Sequence, residues 1–113
     1  MSWNLLIYRS EANNRTTEPL GSLCEVTAKL HAAFPGLIWS SHTACELEVE
    51  GGFFAELTVE DDQVGDIYTR GGYNHLKPLA DLCRQEGWRL GDAQEGVDVD
   101  LQDPYRWYEE HNG

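Results

Sequence analysis

The chain has 113 residues, with 20 Asp and Glu against 8 Lys and Arg, a formal net charge of −12. A hydrophobic content of 41% excludes a disordered acidic chain, and the charge excludes nucleic acid as a partner, because phosphates would be repelled. The length fits one domain over 1–113; no run of about 18 apolar residues predicts a membrane span, and no secretory signal is visible.

The opening segment from Trp3 to Arg9 predicts a strand. Trp3, Leu5 and Ile7 share one face, but Leu6 and Tyr8 make the other face apolar too, as in a central strand at least partly covered on both sides. Ser10 to Thr17 is a polar linker. A helix follows over Glu18–Phe34, with Leu23, Val26, Leu30, Ala33 and Phe34 on one face. Pro19 suits its first turn, while Ser22-x-x-Glu25 is a capping box that would start it a turn later. Pro35-Gly36 stops it.

Leu37–Trp39 predicts a short strand and Ser40–Thr43 a turn. Ala44–Glu50 alternates strictly, with Cys45, Leu47 and Val49 on one face and Glu46, Glu48 and Glu50 on the other. Gly51-Gly52 is a two-residue hairpin signal. The return strand, Phe53–Glu60, turns Phe53, Ala55, Leu57 and Val59 inward and Phe54, Glu56, Thr58 and Glu60 outward. Asp61–Gln63 is a second turn and Val64–Arg70 a further strand.

Gly71-Gly72 leads into a helix over His75–Glu86, with Leu76, Leu79, Ala80 and Cys83 on its buried face and Gly87 as its stop. Trp88–Leu90 and Val97–Leu101 predict two short strands. Asp103-Pro104 caps a last short helix carrying Tyr105, Trp107 and Tyr108. The order β-α-β-β-β-β-α-β-β-α predicts an α+β two-layer sandwich. Its sheet is mainly antiparallel, with two amphipathic helices on one face and a short C-terminal helix.

The charge is unevenly spread. Residues 1–40 carry three bases and three acids; residues 41–66 carry eight acids and no base; residues 67–89 carry four bases and two acids; residues 90–113 carry seven acids and one base. The excess therefore lies in the central hairpin and the C-terminal segment. Alternation puts Glu46, Glu48 and Glu50 on one face with Glu56 and Glu60 beside them, where like charges repel. Such a row suits a solvated face that resists edge pairing. It equally suits a face that docks a basic partner, with Phe54 and Trp107 or Tyr108 as aromatic anchors. Asp98, Asp100 and Asp103 are the second acidic group.

Chemistry is harder to find. Cys24, Cys45 and Cys83 lack a Cys-x-x-Cys pair and are expected as reduced core thiols, consistent with the cytoplasm; a Cys nucleophile would need a His close in space. His31, His42, His75 and His111 have no zinc-ligand spacing, and Asp98-x-Asp100-x-x-Asp103 lacks the frame of a calcium loop, so no metal or cofactor is expected. Arg70-Gly71-Gly72 before a helix would cradle an anion, or simply supply positive φ and close strand–helix approach.

Tyr68-Thr69-Arg70-Gly71-Gly72, the helix Leu76–Cys83 and Gly87-Trp88-Arg89-Leu90-x-Asp92, preceded by Phe34-Pro35-Gly36 and Trp39, form a pattern over most of the chain. It resembles a loose group of small, mostly uncharacterised bacterial proteins, and transfers no active site. The resemblance implies a toxin-immunity protein. The expected function is therefore non-enzymatic: an acidic protein that docks a basic partner, a cognate toxin whose cleft is positive because its substrate is anionic. Two alternatives stand beside it. One is an anion-binding domain or enzyme using Arg70, His75 and Asp92; the other is a homodimeric housekeeping protein.

Overall fold

The computed structural model describes residues 4–10, 17–93 and 96–112. Trp3, the linker segment 11–16 and the turn residues 94–95 lie outside the described residues, as does the side chain of His111. The fold is α+β, an antiparallel sheet with three helices.

Strand β1 (Asn4–Ser10) opens the chain, followed by two-residue strands β2 (Thr17–Glu18) and β3 (Gly21–Ser22). Helix α1 (Leu23–Ala33) leads to β4 (Ile38–Trp39), β5 (Ala44–Glu46), β6 (Phe53–Glu60) and β7 (Gln63–Gly71). A 3₁₀ turn at Tyr73–His75 enters α2 (Leu76–Glu86); β8 (Arg89–Asp92), β9 (Val97–Asp98) and α3 (Pro104–Asn112) complete the order. The sheet runs β4-β5-β6-β7-β1-β8-β9, so β1 is central, as its two apolar faces predict. At one end β1 and β7 part, and β2 pairs with β1 while β3 pairs with β7 between them. Leu20, buried in that wedge, donates its N–H to the Val64 carbonyl at 2.7 Å.

Several boundaries move. The first helix starts at Leu23 rather than Glu18, because Ser22 is its N-cap: the Ser22 hydroxyl accepts from the Glu25 N–H at 3.2 Å and meets the Glu25 carboxylate at 3.0 Å. The Asp61-Asp62 turn takes only two residues, both at positive φ (51° and 64°), which matches the twist of the strands it joins. The strand expected over Val97–Leu101 forms a ladder at Val97–Asp98, and Val99 extends it by donating its N–H to the Leu90 carbonyl at 2.8 Å.

The hairpin departs furthest from strict alternation. Strand β5 ends at Glu46, not Glu50, and Val49, expected inside, is 56% exposed. A two-residue turn at Gly51-Gly52 would set Glu50 opposite Phe53 and so put an acid on the core face, since opposed residues share a face. The observed register sets Cys45 opposite Ala55 and Glu46 opposite Phe54. Residues 47–52 are left to form a wider loop. Gly52 is required there, because a Cβ would lie 1.9 Å from the Leu47 carbonyl oxygen.

The core lies between one sheet face and the helices. Leu5, Ile7, Ala55, Leu57 and Ile67 meet Val26 and Leu30 of α1 and Leu76, Leu79 and Cys83 of α2, all nearly inaccessible. Each buried Val, Leu or Ile side chain among them contributes about 2 kcal/mol of transfer free energy. The thiols divide differently from expectation: Cys45 and Cys83 are buried, but Cys24 is exposed, because it lies on the solvent side of α1. No helix among the described residues is long and apolar enough to cross a membrane.

Candidate functional site

The helices bury the sheet face that carries Leu5, Ile7 and Thr69, so the alternate residues form an open face. Its side chains follow from the register. One row across the strands reads Ile38, Glu46, Phe54, Arg70, Asn4; the next reads Ala44, Glu56, Tyr68, Leu6, Gly91, Asp98; a third reads Thr58, Asp66, Tyr8, Arg89. Phe54, Tyr68, Leu6 and Tyr8 are half-buried, whereas Glu46, Glu56 and Arg70 are exposed.

At one corner the hairpin acids gather. Glu46, Glu48, Phe54 and Arg70 line a shallow pocket of about 260 Å³ with Val49 and Gly52. Glu50 is exposed in the same loop, and Glu60 is exposed at the far end of β6. The loop is internally bonded: Leu47 N–H donates to Phe53 O (2.8 Å), Val49 N–H to Leu47 O (3.0 Å) and Gly52 N–H to Val49 O (2.8 Å). His75 Nδ1 also donates to Gly51 O at 3.0 Å, its ring edge-on to Phe34 and Phe53. The tip is thereby fastened to the start of α2. The glycine pair after β7 makes this approach possible. Both Gly71 and Gly72 have positive φ, and a Cβ on Gly72 would sit 2.9 Å from the Phe53 Cβ.

The second acidic group has internal work. Asp98 accepts from the Tyr8 hydroxyl and pairs with Arg89 at 3.5 Å. Burial, then this bond to Asp98, raises the Tyr8 phenol above its ordinary pKa. Asp100 accepts from the Gln102 N–H at 2.9 Å, and Asp103 caps α3 by accepting from the Arg106 N–H at 3.3 Å. Trp107, half-buried, packs against the core and edge-on to Tyr108 (4.9 Å), which is buried. Burial first, and the neighbouring Asp92 carboxylate second, push the Tyr108 phenol far up.

Arg70, His75 and Asp92 do not converge. Asp92 stands opposite Leu5 on the helix-covered face, Arg70 opposite Asn4 on the open face, and His75 is taken up by the hairpin tip. Cys24 and His42 do line one open groove of about 480 Å³, with Leu23, Thr27, Trp39 and Ser41, but no hydrogen bond joins them. Cys45, three residues from His42, points into the core, and burial pushes its thiol up to about 11; Cys83 is likewise pushed up to about 12. Among the described residues no group of three His, Cys, Asp or Glu side chains is arranged to hold a metal.

Alternation puts Glu46, Phe54 and Glu56 on this face, but no local pattern marks Tyr68 and Arg70 as the residues beside Glu56 and Phe54, or Arg89 as the residue beside Tyr8. The apolar alternation of Leu6 and Tyr8 in the opening strand was the available signal. Compared with models of known protein families, with curated proteins and with solved structures, the chain matches none.

Proposed function

We propose that the protein is a non-enzymatic docking protein. Its acidic hairpin, on the open face of the sheet, takes a basic protein partner, most concretely a toxin that it neutralises as an immunity protein. One observation carries this reading: Glu46, at the end of β5, and Glu48 line one pocket with Phe54, Glu50 is exposed in the adjoining loop, all three lie outside every ion pair among the described residues, and that loop is held by its own hydrogen bonds and by His75. A loop whose backbone is already held loses little backbone entropy on binding, and an acidic face accelerates encounter with a positive cleft. Fastening the loop also separates its role from mere solubility, which needs charge but no fixed arrangement.

The test is to purify the native protein from its host with whatever binds it. The association rate of that partner is then measured for the wild type and for Glu46→Lys/Glu48→Lys/Glu50→Lys. The expected result is a basic partner whose association slows at least about tenfold in the variant and with added salt. An unchanged rate, or a partner without a basic surface, refutes the proposal.

A further inference from the structure

The open face carries a second pattern besides the hairpin acids. Phe54 on β6, Tyr68 on β7, and Leu6 and Tyr8 on β1 are its half-buried aromatic and aliphatic side chains, and the register sets them on a diagonal. Tyr68 stands directly opposite Leu6. Phe54 stands opposite Arg70, two residues along β7 from Tyr68, and Tyr8 lies two residues beyond Leu6 in the other direction. The diagonal thus crosses two strand intervals and four residues, about 17 Å at the usual sheet spacings. That is the length of roughly three helical turns, whose apolar stripe returns every three to four residues.

The two flanks of the diagonal differ in sign. On one side lie Glu56, opposite Tyr68, and Asp66, opposite Tyr8. On the other lie Arg70 and, beyond β1, Arg89, which is already paired with Asp98. Glu56, Asp66 and Arg70 make no ion pair among the described residues. A uniformly basic surface would match the acids but meet Arg70 with repulsion.

We propose that this diagonal seats an amphipathic helix of the partner. Its apolar stripe lies on Phe54, Tyr68, Leu6 and Tyr8, its basic edge faces Glu56 and Asp66, and its opposite edge presents a carboxylate to Arg70. The inference rests on the docking reading and names the partner's contacting element. Arg70 becomes the residue that decides which basic partner fits.

Two synthetic helical peptides of about four turns test it. Both carry a leucine stripe; one has lysine along both edges, the other lysine along one edge and glutamate along the other. Binding to the ¹⁵N-labelled protein is followed by amide shifts at about 0.15 M salt, where charges beyond about 8 Å are screened. The expected shifts centre on Leu6, Phe54 and Tyr68 for the mixed-edge peptide. Arg70→Glu, an exposed change, should move the affinity ratio of the two peptides about tenfold toward the all-lysine one. A ratio indifferent to Arg70→Glu overturns the inference. So does absence of binding by either peptide at millimolar concentration, or shifts confined to residues 47–52. Glu48→Lys/Glu50→Lys lies off the diagonal and should leave the mixed-edge peptide bound. If the natural partner is lost on that hairpin change yet ignores both Arg70→Glu and Tyr68→Asp, this inference falls and the docking reading stands.

Discussion

The protein has two acidic regions of nearly equal length, and they are built in opposite ways. In the hairpin, Glu46, Glu48, Glu50 and Glu56 are exposed and make no ion pair among the described residues. In the C-terminal segment, Asp98 holds Tyr8 and Arg89, Asp100 closes a turn, and Asp103 caps α3. Charge counting treats both as surplus. Hydrogen bonding separates acids that hold the fold from acids left available to something outside it.

The contrast can be broken first at the level of association. Neutralising Glu46, Glu48 and Glu50 to Gln should slow capture of a basic partner about tenfold or more, whereas Asp100→Asn should not change it, as stopped-flow mixing reads out. The next largest effect is alkaline. The folded pKa of Tyr108 lies above the ordinary 10, so its contribution to stability is complete below pH 10 and is lost as pH climbs beyond it. Circular dichroism above pH 10 should therefore show progressive loss of stability that Tyr108→Phe lessens; an identical pH dependence in that variant breaks the assignment.

A smaller difference appears in stability at neutral pH. Asp103→Ala should cost about 1 kcal/mol as the cap of α3 is lost. The three hairpin Glu→Gln changes together should stay within about 0.5 kcal/mol, with relief of repulsion as their direction. Urea titration of the two variants compares them directly. If the hairpin set proves the more destabilising, those acids hold the fold too and the contrast with the C-terminal segment is lost. The smallest perturbation concerns the thiols. At pH 8 one thiol per native chain, Cys24, should react rapidly with a thiol reagent, because burial keeps Cys45 and Cys83 protonated with pKa values of about 11 and 12. Three fast thiols in the native protein would contradict that burial.

Local rules made much of the architecture legible. Alternation in Phe53–Glu60, the helical spacing of Leu76, Leu79, Ala80 and Cys83, and the Asp103-Pro104 cap all describe elements that exist. The failures share a cause: they depend on which strand lies beside which. Glu48 and Glu50 continue an alternating pattern perfectly well, and only the pairing of Cys45 with Ala55 shows that they belong to a loop. Arg70 joins Glu46 and Phe54 because β7 flanks β6 in a particular register, and Leu6 meets Tyr68 only because a strand from the start of the chain enters the middle of the sheet.

That entry of β1 into the middle of the sheet also bears on biosynthesis. Its two long partners, β7 and β8, follow it by between 58 residues (Tyr8 and Asp66) and 87 residues (Leu5 and Asp92); only Arg9 and Ser10, at its end, pair locally with β2. Until those stretches have left the ribosome, the Asn4–Tyr8 part of this early, largely apolar strand waits with both edges open, while the β6–β7 hairpin can zip as soon as it emerges. The long-range closure then falls late, and contacts of such separation slow folding into the millisecond-to-second range. Nascent-chain handling, rather than final stability, is thus the step at which Leu5, Leu6 and Ile7 are most exposed to aggregation.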